Sequence, residues 1–503
     1  MLYQSTRGGE RVSSAQAIVS GISPNGGLYV PSEFPKLDIG ELSKGDLDYE
    51  RIAFEVMKLY LSETDEGDLK AMIHSAYQSF DTPAVAPLYR LNDRENVLEL
   101  WHGPTMAFKD VALQMLPHLM KSSLEQTGES RDVYILVATS GDTGKAALEG
   151  FRDVEGTRVL VFYPYGGVSE AQRLQMVTQE GGNVDVCAVY GNFDDAQTGV
   201  KQIFADEAIR EQLADCGCRL SSANSINFGR LLPQIVYYFT SYVALVKAGT
   251  IQAGDAINFC VPTGNFGDIL AGEYARRMGL PIHKLICASN RNNVLTDFIE
   301  TGVYDDRRPF YRSMSCSIDI LISSNLERLV YELSGRDEAT VSGWMKRLKE
   351  TGSYSIPGEA LRELQTVFVG GFCSEEDTLD TIRRVYDGYR YLIDPHTAVA
   401  QTVYDRYVEK TGDRTQTVLL STANPYKFAS DVIKVFEDGT DDDFENVARL
   451  NAITGMPIPQ GIRGLRNKPE RHTGVVDLAD MPRRVVDPVR SGGSGRQGDS
   501  IIP

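Results

Sequence analysis

Short apolar runs that alternate with amphipathic helices constrain the fold of this chain more than any other feature. Residues 133–138 are apolar without interruption, which is typical of a strand buried on both faces, and a glycine-containing turn and a helix at about 145–152 follow. Further strands are predicted at 158–163, 184–189, 256–261, 284–288 and 417–421, and helices at 194–213, 229–248 and 268–278. Strands separated by helices predict a parallel α/β sheet with right-handed crossovers.

The remaining segments do not show this alternation of strands and helices. The N-terminal residues give mixed signals, with a turn at Asn25-Gly26-Gly27 and two helices, whereas the stretch from about residue 300 shows helical spacing with little strand signal. We therefore predict an N-terminal domain (1–95), an α/β core (96–295, with a smaller lobe at about 130–215), a helical insertion (296–412), a return to the core (413–480) and a flexible tail rich in glycine and serine (488–503).

The charge balance excludes some classes of partner. The 503 residues have a formal net charge of −18, which argues against binding to nucleic acid or to an anionic membrane. The seven cysteines lack the spacing of a zinc site, so we predict reduced thiols and no metal. The N-terminus has no signal-peptide pattern, and the apolar stretch 231–246 is shorter than the ~20 residues that cross a bilayer. These observations predict a soluble cytoplasmic protein.

Lys109 is a candidate reactive residue. It follows Met106, Ala107 and Phe108, which lead the chain toward the interior, and an apolar helix is predicted directly after it. A desolvated lysine has a depressed pKa and forms a Schiff base with a carbonyl group. A lysine at a helix start is more often an ordinary surface residue, so this segment alone leaves both interpretations open.

A glycine-containing turn at 139–145 joins a predicted strand to a predicted helix. It is not a nucleotide P-loop, because Thr139 and Ala146 stand where that motif needs glycine and a hydroxyl residue. Ser140, Asp142 and Thr143 nevertheless lie at a helix N-terminus, which suits a carboxylate or a phosphate. Capping of the helix by the same side chains explains the turn equally well.

A second turn of this kind, at 262–268, supports the binding interpretation. Gly264 and Gly267 allow the backbone to approach a ligand closely, and the free amides of the first helical turn suit a phosphate. Ligands gather at the carboxyl edge of a parallel sheet. Two such turns in one α/β region therefore favour an anion site, although either turn alone is weak evidence.

Two more segments combine capping residues with groups that suit a ligand. Asn224 to Asn227 can cap the long helix that follows, but Arg230 in its first turn is disfavoured by the helix dipole and is a candidate partner for an oxyanion. Ser421 and Thr422 end the late strand, where a hydroxyl either closes a turn or meets a ring nitrogen of a cofactor.

Taken in order, these motifs closely resemble those of the threonine synthase family, in its long bacterial and fungal form. The resemblance covers about residues 1–475. It rests on the segments Tyr3-Gln4-Ser5-Thr6-Arg7-Gly8-Gly9, Gly26-Gly27-Leu28-Tyr29-Val30-Pro31, 102–110 around Lys109, Ser140-Gly141-Asp142-Thr143-Gly144, Asn224-Ser225-Ile226-Asn227 with Arg230, Thr263-Gly264-Asn265-Phe266-Gly267-Asp268 and Asp394-Pro395-His396-Thr397-Ala398-Val399-Ala400.

The resemblance implies a pyridoxal 5′-phosphate enzyme of the tryptophan-synthase-β-like fold, with the cofactor in a cleft between two α/β lobes. For the cofactor, it implies covalent attachment to Lys109, a phosphate site at Gly264, Asn265, Phe266 and Gly267, and contact of the ring nitrogen with Thr422 (less favourably Ser421). Around the ring and the substrate carboxylate, it implies Ser140, Asp142 and Thr143. For the substrate phosphate, it implies Asn224 and Arg230.

The reaction implied by the resemblance converts O-phospho-L-homoserine and water into L-threonine and phosphate, by γ-elimination and β-addition. It is the last step of threonine biosynthesis. Asn424 departs from the family pattern, which usually has a histidine there, and asparagine does not titrate near neutral pH. Two alternatives therefore stay open: a related phospho-lyase that gives 2-oxobutyrate, and a non-catalytic protein that binds a phospho-ligand. We expect a monomer or a homodimer.

Overall fold

Two main β-sheets organise the computed structural model, which describes residues 1–45, 47–139 and 141–490. The small sheet has five parallel strands, in the spatial order Gly474–Asp477, Val184–Tyr190, Thr157–Pro164, Asp132–Ala138 and Cys218–Ser221. The large sheet has six, in the order Phe368–Phe372, Ile282–Ser289, Ile257–Pro262, Thr417–Ser421, Glu95–Glu99 and Leu88–Arg90, of which the final pair is antiparallel. The predicted α/β class with two parallel-sheet lobes is confirmed.

Two small antiparallel sheets and many helices surround these lobes. The small sheets are formed by Leu2–Ser5, Val12–Ser13 and Tyr29–Pro31, and by Val303–Asp305 and Ser353–Ser355. The α-helices are Ser14–Ser20, Ile39–Lys44, Tyr49–Tyr60, Glu66–Tyr77, Lys109–Leu113, Leu116–Thr127, Asp142–Gly150, Glu170–Val177, Phe193–Ala205, Glu207–Asp215, Phe228–Lys247, Gly267–Met278, Val294–Thr301, Leu326–Leu333, Glu338–Thr351, Gly358–Val367, Glu375–Tyr389, Pro395–Thr411, Ala429–Val432, Asp443–Thr454 and Met481–Arg490. Short 3₁₀ turns lie at Cys316–Ile318, Pro425–Phe428, Ile433–Val435, Leu465–Asn467 and Leu478–Asp480.

The helix Phe228–Lys247 forms the centre of the main core. Nearly all of its side chains are buried, and it packs against Tyr49–Tyr60, Lys109–Leu113 and Gly267–Met278. Each fully buried leucine, isoleucine, valine or phenylalanine contributes about 1.5–3 kcal/mol, so this contact ties the N-terminal segment to the large-sheet lobe. No helix in the described part of the chain is long and apolar enough to cross a membrane.

The segment 296–412 is mainly helical, but it also supplies the edge strand Phe368–Phe372 of the large sheet. Gly370 and Gly371 weaken the strand signal of this segment in the sequence, because glycine is a poor strand former. The packing requires them: a Cβ atom at Gly371 would lie 2.6 Å from Cγ1 of Val403, and one at Gly370 would lie 2.9 Å from Cα of Thr296. The expectation of little strand in this segment is therefore wrong at this edge.

Two other predicted elements differ from the structure. The helix predicted at 194–213 is two helices, because Asp206 ends Phe193–Ala205 and its side chain accepts the amide N–H of Ile209 to cap the next helix. The predicted flexible tail begins at residue 488, where the helix Met481–Arg490 still continues; its residues 491–503 lie outside the described residues.

Candidate active site

Lys109 is buried where two motifs that are distant in sequence meet. The amide of Phe108 donates to the carbonyl of Thr422 at 2.8 Å, and the amide of Asn424 donates to the carbonyl of Met106 at 3.1 Å. Met106 has a positive φ of 61°, which turns the chain sharply into the helix that Lys109 opens. Lys109 is only 8% exposed. The interpretation of Lys109 as an ordinary surface lysine is therefore wrong.

A carboxylate from the small-sheet lobe faces this lysine. Oδ2 of Asp142 lies 3.9 Å from Nζ of Lys109, and Oδ1 of Asp142 lies 2.9 Å from Nζ of Lys427. The hydroxyl of Ser317 donates to Oδ2 of Asp142 at 3.2 Å and accepts from Nζ of Lys109 at 3.3 Å. The cluster therefore holds two ammonium groups around one carboxylate.

Burial and charge set the protonation of this cluster. Burial lowers the pKa of Lys109; Asp142 opposes this shift, whereas the positive charges of Lys427 and Arg230 add to it. Burial alone would raise the pKa of Asp142, but the ammonium groups of Lys427 and Lys109 outweigh it and hold that pKa well below its usual range. Asp142 is therefore an anion at neutral pH, and Lys109 loses its proton more readily than an exposed lysine does.

Ser317 connects Lys109 to a buried histidine and to the second glycine turn. It lies in the 3₁₀ turn Cys316–Ile318, and its amide donates to Nε2 of His396 at 3.1 Å. Because Nε2 accepts, Nδ1 of His396 carries the proton that it shares with Oδ2 of Asp394 at 2.6 Å. A Cβ atom at Gly264 would lie 2.9 Å from the carbonyl oxygen of Ser317, so the close approach of the two segments requires glycine there.

The turn at 264–267 presents backbone amides without a side-chain cap. Phe266 has a left-handed φ of 64° and makes no capping hydrogen bond to the helix that Gly267 opens. The carbonyl of Asn265 accepts both the amide N–H and the Nδ2 group of Asn325, each at 3.1 Å. A Cβ atom at Gly267 would lie 3.3 Å from that Nδ2 group and from Cβ of Ser225. The first amides of this helix are thus held rigidly and suit an anion.

Asp268 lies in the first turn of the same helix, where a negative charge would oppose a bound anion. Burial raises its pKa to about 7, although the hydroxyls of Tyr237 and Tyr238 donate to Oδ1 and partly oppose the shift. Oδ2 of Asp268 is buried and has no hydrogen-bond partner in the described structure. A carboxyl that keeps its proton at mildly acidic pH is compatible with both observations.

We expect Asp268→Asn to remove a pH-dependent loss of stability. The folded protein holds this proton up to about pH 7, whereas the unfolded chain releases it near pH 4, so wild-type stability falls as the pH rises between those values. Relative to wild type, the free energy of unfolding of the variant should increase with pH across this window, by at most about 1.4 kcal/mol per unit. Urea unfolding at pH 4.5 and 7.5 measures this.

Asp93→Asn is the matched control, because the Asp93 side chain is 97% exposed. This control should keep the wild-type profile. An Asp268→Asn profile that also parallels wild type would contradict the assignment of a buried, protonated carboxyl.

Arg230 is a buried cation without an anionic partner among the described residues. It is 4% exposed, its Nη1 group donates to the carbonyl of Ala223 at 2.7 Å, and its Nε atom has no hydrogen-bond partner. Burial lowers its pKa to about 10, so it stays charged at neutral pH. A buried, unpaired guanidinium is costly, and it indicates a site for an anion.

The geometry can be compared with known proteins. Residues 2–77 match the family described as threonine synthase N terminus, and residues 397–486 match the one described as threonine synthase, C-terminal. The threonine synthase of Schizosaccharomyces pombe is 41% identical over 457 residues, which cover 85% of this chain and 87% of that protein. The chain belongs to the threonine synthase family.

Two further comparisons agree with this membership of the threonine synthase family. A crystal structure of PLP-bound threonine synthase from Brucella melitensis superposes with a TM-score of 0.87 at 37% identity and covers 98% of this chain and 99% of that one. Human threonine synthase-like 1 is 41% identical over 435 residues, or 84% of this chain. The chain spans 58% of the length of that relative.

The structure brings several, but not all, of the predicted site residues together. Ser317 joins Lys109 and Asp142 directly and contacts Gly264, while Thr422 accepts a backbone hydrogen bond beside Lys109. Among the predicted residues not yet described, Asn224 and Asn265 are exposed and Thr143 is half-buried. Ser140 lies outside the described residues.

The two candidate hydroxyls at the end of the late strand differ in their contacts. The hydroxyl of Ser421 accepts from Nε1 of Trp101 at 3.1 Å and from the Thr397 hydroxyl at 3.0 Å. No side-chain hydrogen bond of Thr422 to a described residue is seen. This difference favours Thr422 over Ser421 for contact with a ligand.

Ser317 and Lys427 contact predicted residues, and His396 contacts Ser317, but none of the three is assigned to the site by the sequence. His396 lies in a quoted family motif, so the motif was a usable signal. Ser317 lies in a loop and Lys427 in a short turn, and neither has any local pattern that separates it from surface residues.

Proposed function

We propose that the chain is a threonine synthase that converts O-phospho-L-homoserine and water into L-threonine and phosphate, with pyridoxal 5′-phosphate as cofactor. The observation that carries the proposal is the buried amine of Lys109, which Ser317 links to the glycine turn with its uncapped backbone amides, and which is repelled by Arg230. Membership of the threonine synthase family supports the reaction.

The residues present fit the cofactor. Lys109 is a desolvated amine suited to a carbonyl group. The amides at Gly264 to Gly267 suit the cofactor phosphate, and Gly264 has no room for a side chain. We assign the ring nitrogen to the Thr422 hydroxyl. When bound, the cofactor supplies an electron sink for the carbons of the substrate amino acid.

The two anionic ends of the substrate need different groups. We assign its phosphate to Arg230, with help from Asn224. Asp142 is itself an anion, paired with Lys427 and 3.9 Å from Nζ of Lys109, so its side chain does not suit the substrate carboxylate. We therefore assign that carboxylate to the hydroxyls of Ser140 and Thr143, of which Thr143 lies in the first turn of the helix Asp142–Gly150.

The chain's own groups supply proton transfer and orientation. The Nζ atom of Lys109 is positioned to move protons at the α and β carbons of the substrate, because its lowered pKa lets it exist as a free amine. Ser317 orients that amine through its hydroxyl, and His396 orients Ser317 through the backbone amide. Asp142 remains negative and stabilises the protonated amine between transfers.

Asn424 has a structural contact that explains its residue type. Its Oδ1 atom accepts the amide N–H of Tyr426 at 3.0 Å and caps the 3₁₀ turn Pro425–Phe428. The side chain is buried. Asparagine therefore supports the turn that carries Lys427.

The product assay tests the proposed function. The full chain, loaded with pyridoxal 5′-phosphate and incubated with O-phospho-L-homoserine, should release phosphate and L-threonine in equal amounts, measured by amino-acid analysis and a phosphate assay. Formation of 2-oxobutyrate without threonine would replace the proposal by the phospho-lyase. Absence of any product and of any visible colour would leave a non-catalytic binding protein.

We also propose a cytoplasmic location. All seven cysteines are free thiols, which is usual in a reducing compartment. We further propose that the protein acts as a monomer or a homodimer.

A further inference from the structure

Lys427 is a second buried lysine in the site, and neither the motifs nor the proposed reaction assigns it a role. It follows the late strand of the large sheet in the 3₁₀ turn Pro425–Phe428, and its side chain is fully buried. Its Nζ atom lies 2.9 Å from Oδ1 of Asp142 and donates to the carbonyl of Thr105 at 2.7 Å. A buried lysine requires such partners, because an unpaired ammonium group would be costly to desolvate.

The two oxygens of Asp142 are divided between different partners. Oδ1 accepts from Lys427, and Nε2 of Gln172 lies 3.4 Å from the same oxygen. Oδ2 accepts the hydroxyl of Ser317, and Nζ of Lys109 lies 3.9 Å away, too far for a direct hydrogen bond. The closer of the two ammonium groups therefore belongs to Lys427 and not to the lysine proposed to react.

This division matters because a direct ion pair would hold the reacting lysine in its charged form. An amine must lose its proton before it attacks a carbonyl. We propose that Lys427 is a positioning residue: it holds Asp142 by Oδ1, prevents that carboxylate from pairing directly with Lys109, and so leaves the Lys109 amine available to react. The use of that amine rests on the proposed function, whereas the competition for Asp142 does not.

The electrostatic surroundings of Lys109 agree with this competition. The charged and titratable groups that act on it come from several elements and include both signs; they are Asp142, Lys427, Arg230, Cys316 and Asp268. After burial, attraction by Asp142 is the largest influence and raises the pKa of Lys109, while repulsion by Lys427 is the next and lowers it. Removal of Lys427 would take away the repulsion and free Asp142 to approach Lys109.

The experiment measures the titration of Lys109 itself. The full chain, freed of cofactor, is treated with a trace of acetic anhydride over a range of pH, and acetylation of the peptide that contains Lys109 is measured by mass spectrometry. In Lys427→Met the pH of half-maximal reactivity should rise by about one unit or more relative to wild type, which is the size of shift caused by an opposite charge at ~4–6 Å. Lys427→Arg keeps the positive charge and should stay near the wild-type value.

A double variant separates this effect from a loss of fold. Lys427→Met leaves Asp142 without its closer partner and is expected to lower stability, whereas Asp142→Asn/Lys427→Met removes both charges and leaves neither unpaired. In the double variant the half-maximal pH should return to the wild-type value or fall below it. Lys145→Met, which removes a buried lysine paired at 2.8 Å with Glu149, should leave Lys109 unchanged.

Two results would overturn the inference. One is an unchanged half-maximal pH in folded Lys427→Met, which would mean that Lys427 only supports the carbonyl of Thr105. The other is an upward shift that persists in the double variant, since Asp142 could not then be its cause. A wild type that forms no coloured adduct with pyridoxal 5′-phosphate would refute the proposed function but would leave the acetylation result interpretable.

Discussion

Replacing Lys109 with alanine should leave the protein colourless in the presence of pyridoxal 5′-phosphate and lower the rate of threonine formation by about 10³-fold or more. Both effects have one cause, because the same amine is proposed to hold the cofactor and to move protons at the substrate. The side chain is nearly buried, and no other described lysine except Lys427 lies beside Asp142. Visible absorbance and the product assay measure the two effects separately.

Lys145→Ala is the control for the loss of a buried lysine. Lys145 pairs with Glu149 on the helix that Asp142 opens, outside the cluster around Lys109. This variant should keep its colour and most of its activity. An adduct that borohydride can reduce, found in Lys109→Ala at another residue, would refute the assignment of Lys109.

Replacing Arg230 with methionine should lower kcat/KM for O-phospho-L-homoserine by about 100-fold or more, equivalent to about 2.7 kcal/mol. The substrate phosphate would lose its proposed buried cationic partner. Stability should change by no more than about 1 kcal/mol, since the guanidinium is buried without an anion and a methionine avoids that cost. Inhibition by inorganic phosphate should weaken in parallel, which initial-rate kinetics measure.

Arg328 offers a contrast within the same chain. It is also fully buried, but each of its three guanidinium nitrogens donates a hydrogen bond. The acceptors are the carbonyls of Tyr29 at 2.9 Å and Ile226 at 2.6 Å and the Asn325 side chain. Arg328→Met should therefore lower the free energy of unfolding by about 3 kcal/mol or more. If Arg230→Met instead lost stability like Arg328→Met and kept its kcat/KM, Arg230 would be structural.

The repeated strand–helix pattern was sufficient to predict parallel α/β structure, whereas its division into two lobes was implied by the family resemblance. Continuous apolar runs such as residues 133–138 have few alternatives to a strand buried on both faces, and the structure has a strand there at Asp132–Ala138. The strand Phe368–Phe372 was not predicted, because it contains Gly370 and Gly371. These glycines are required by close packing with residues that are distant in sequence. Local propensity describes a residue's own backbone and carries no information about such neighbours.

The candidate site also contains residues that the sequence predicts and residues that only the tertiary structure reveals. The roles of Lys109 and of the glycine turn at 264–267 were predicted from the set of motifs that resembles the threonine synthase family, because each segment alone also has an ordinary structural explanation. Ser317 and Lys427 act through tertiary contacts with Lys109 and Asp142, and a serine in a loop or a lysine in a turn is common everywhere. The role of Asp142 near the substrate carboxylate and the cofactor ring stays a prediction, and the two ammonium groups that its carboxylate faces could not be predicted from the sequence.

The strand Gly474–Asp477 pairs with Val184–Tyr190 and closes one edge of the small sheet. During synthesis on the ribosome, the other four strands of that sheet emerge long before this one. Until it arrives, Val184–Tyr190 presents unpaired backbone groups to other chains. The lobe is therefore completed only after residue 477 has been synthesised, and chains truncated before residue 474 should aggregate rather than accumulate as a folded fragment.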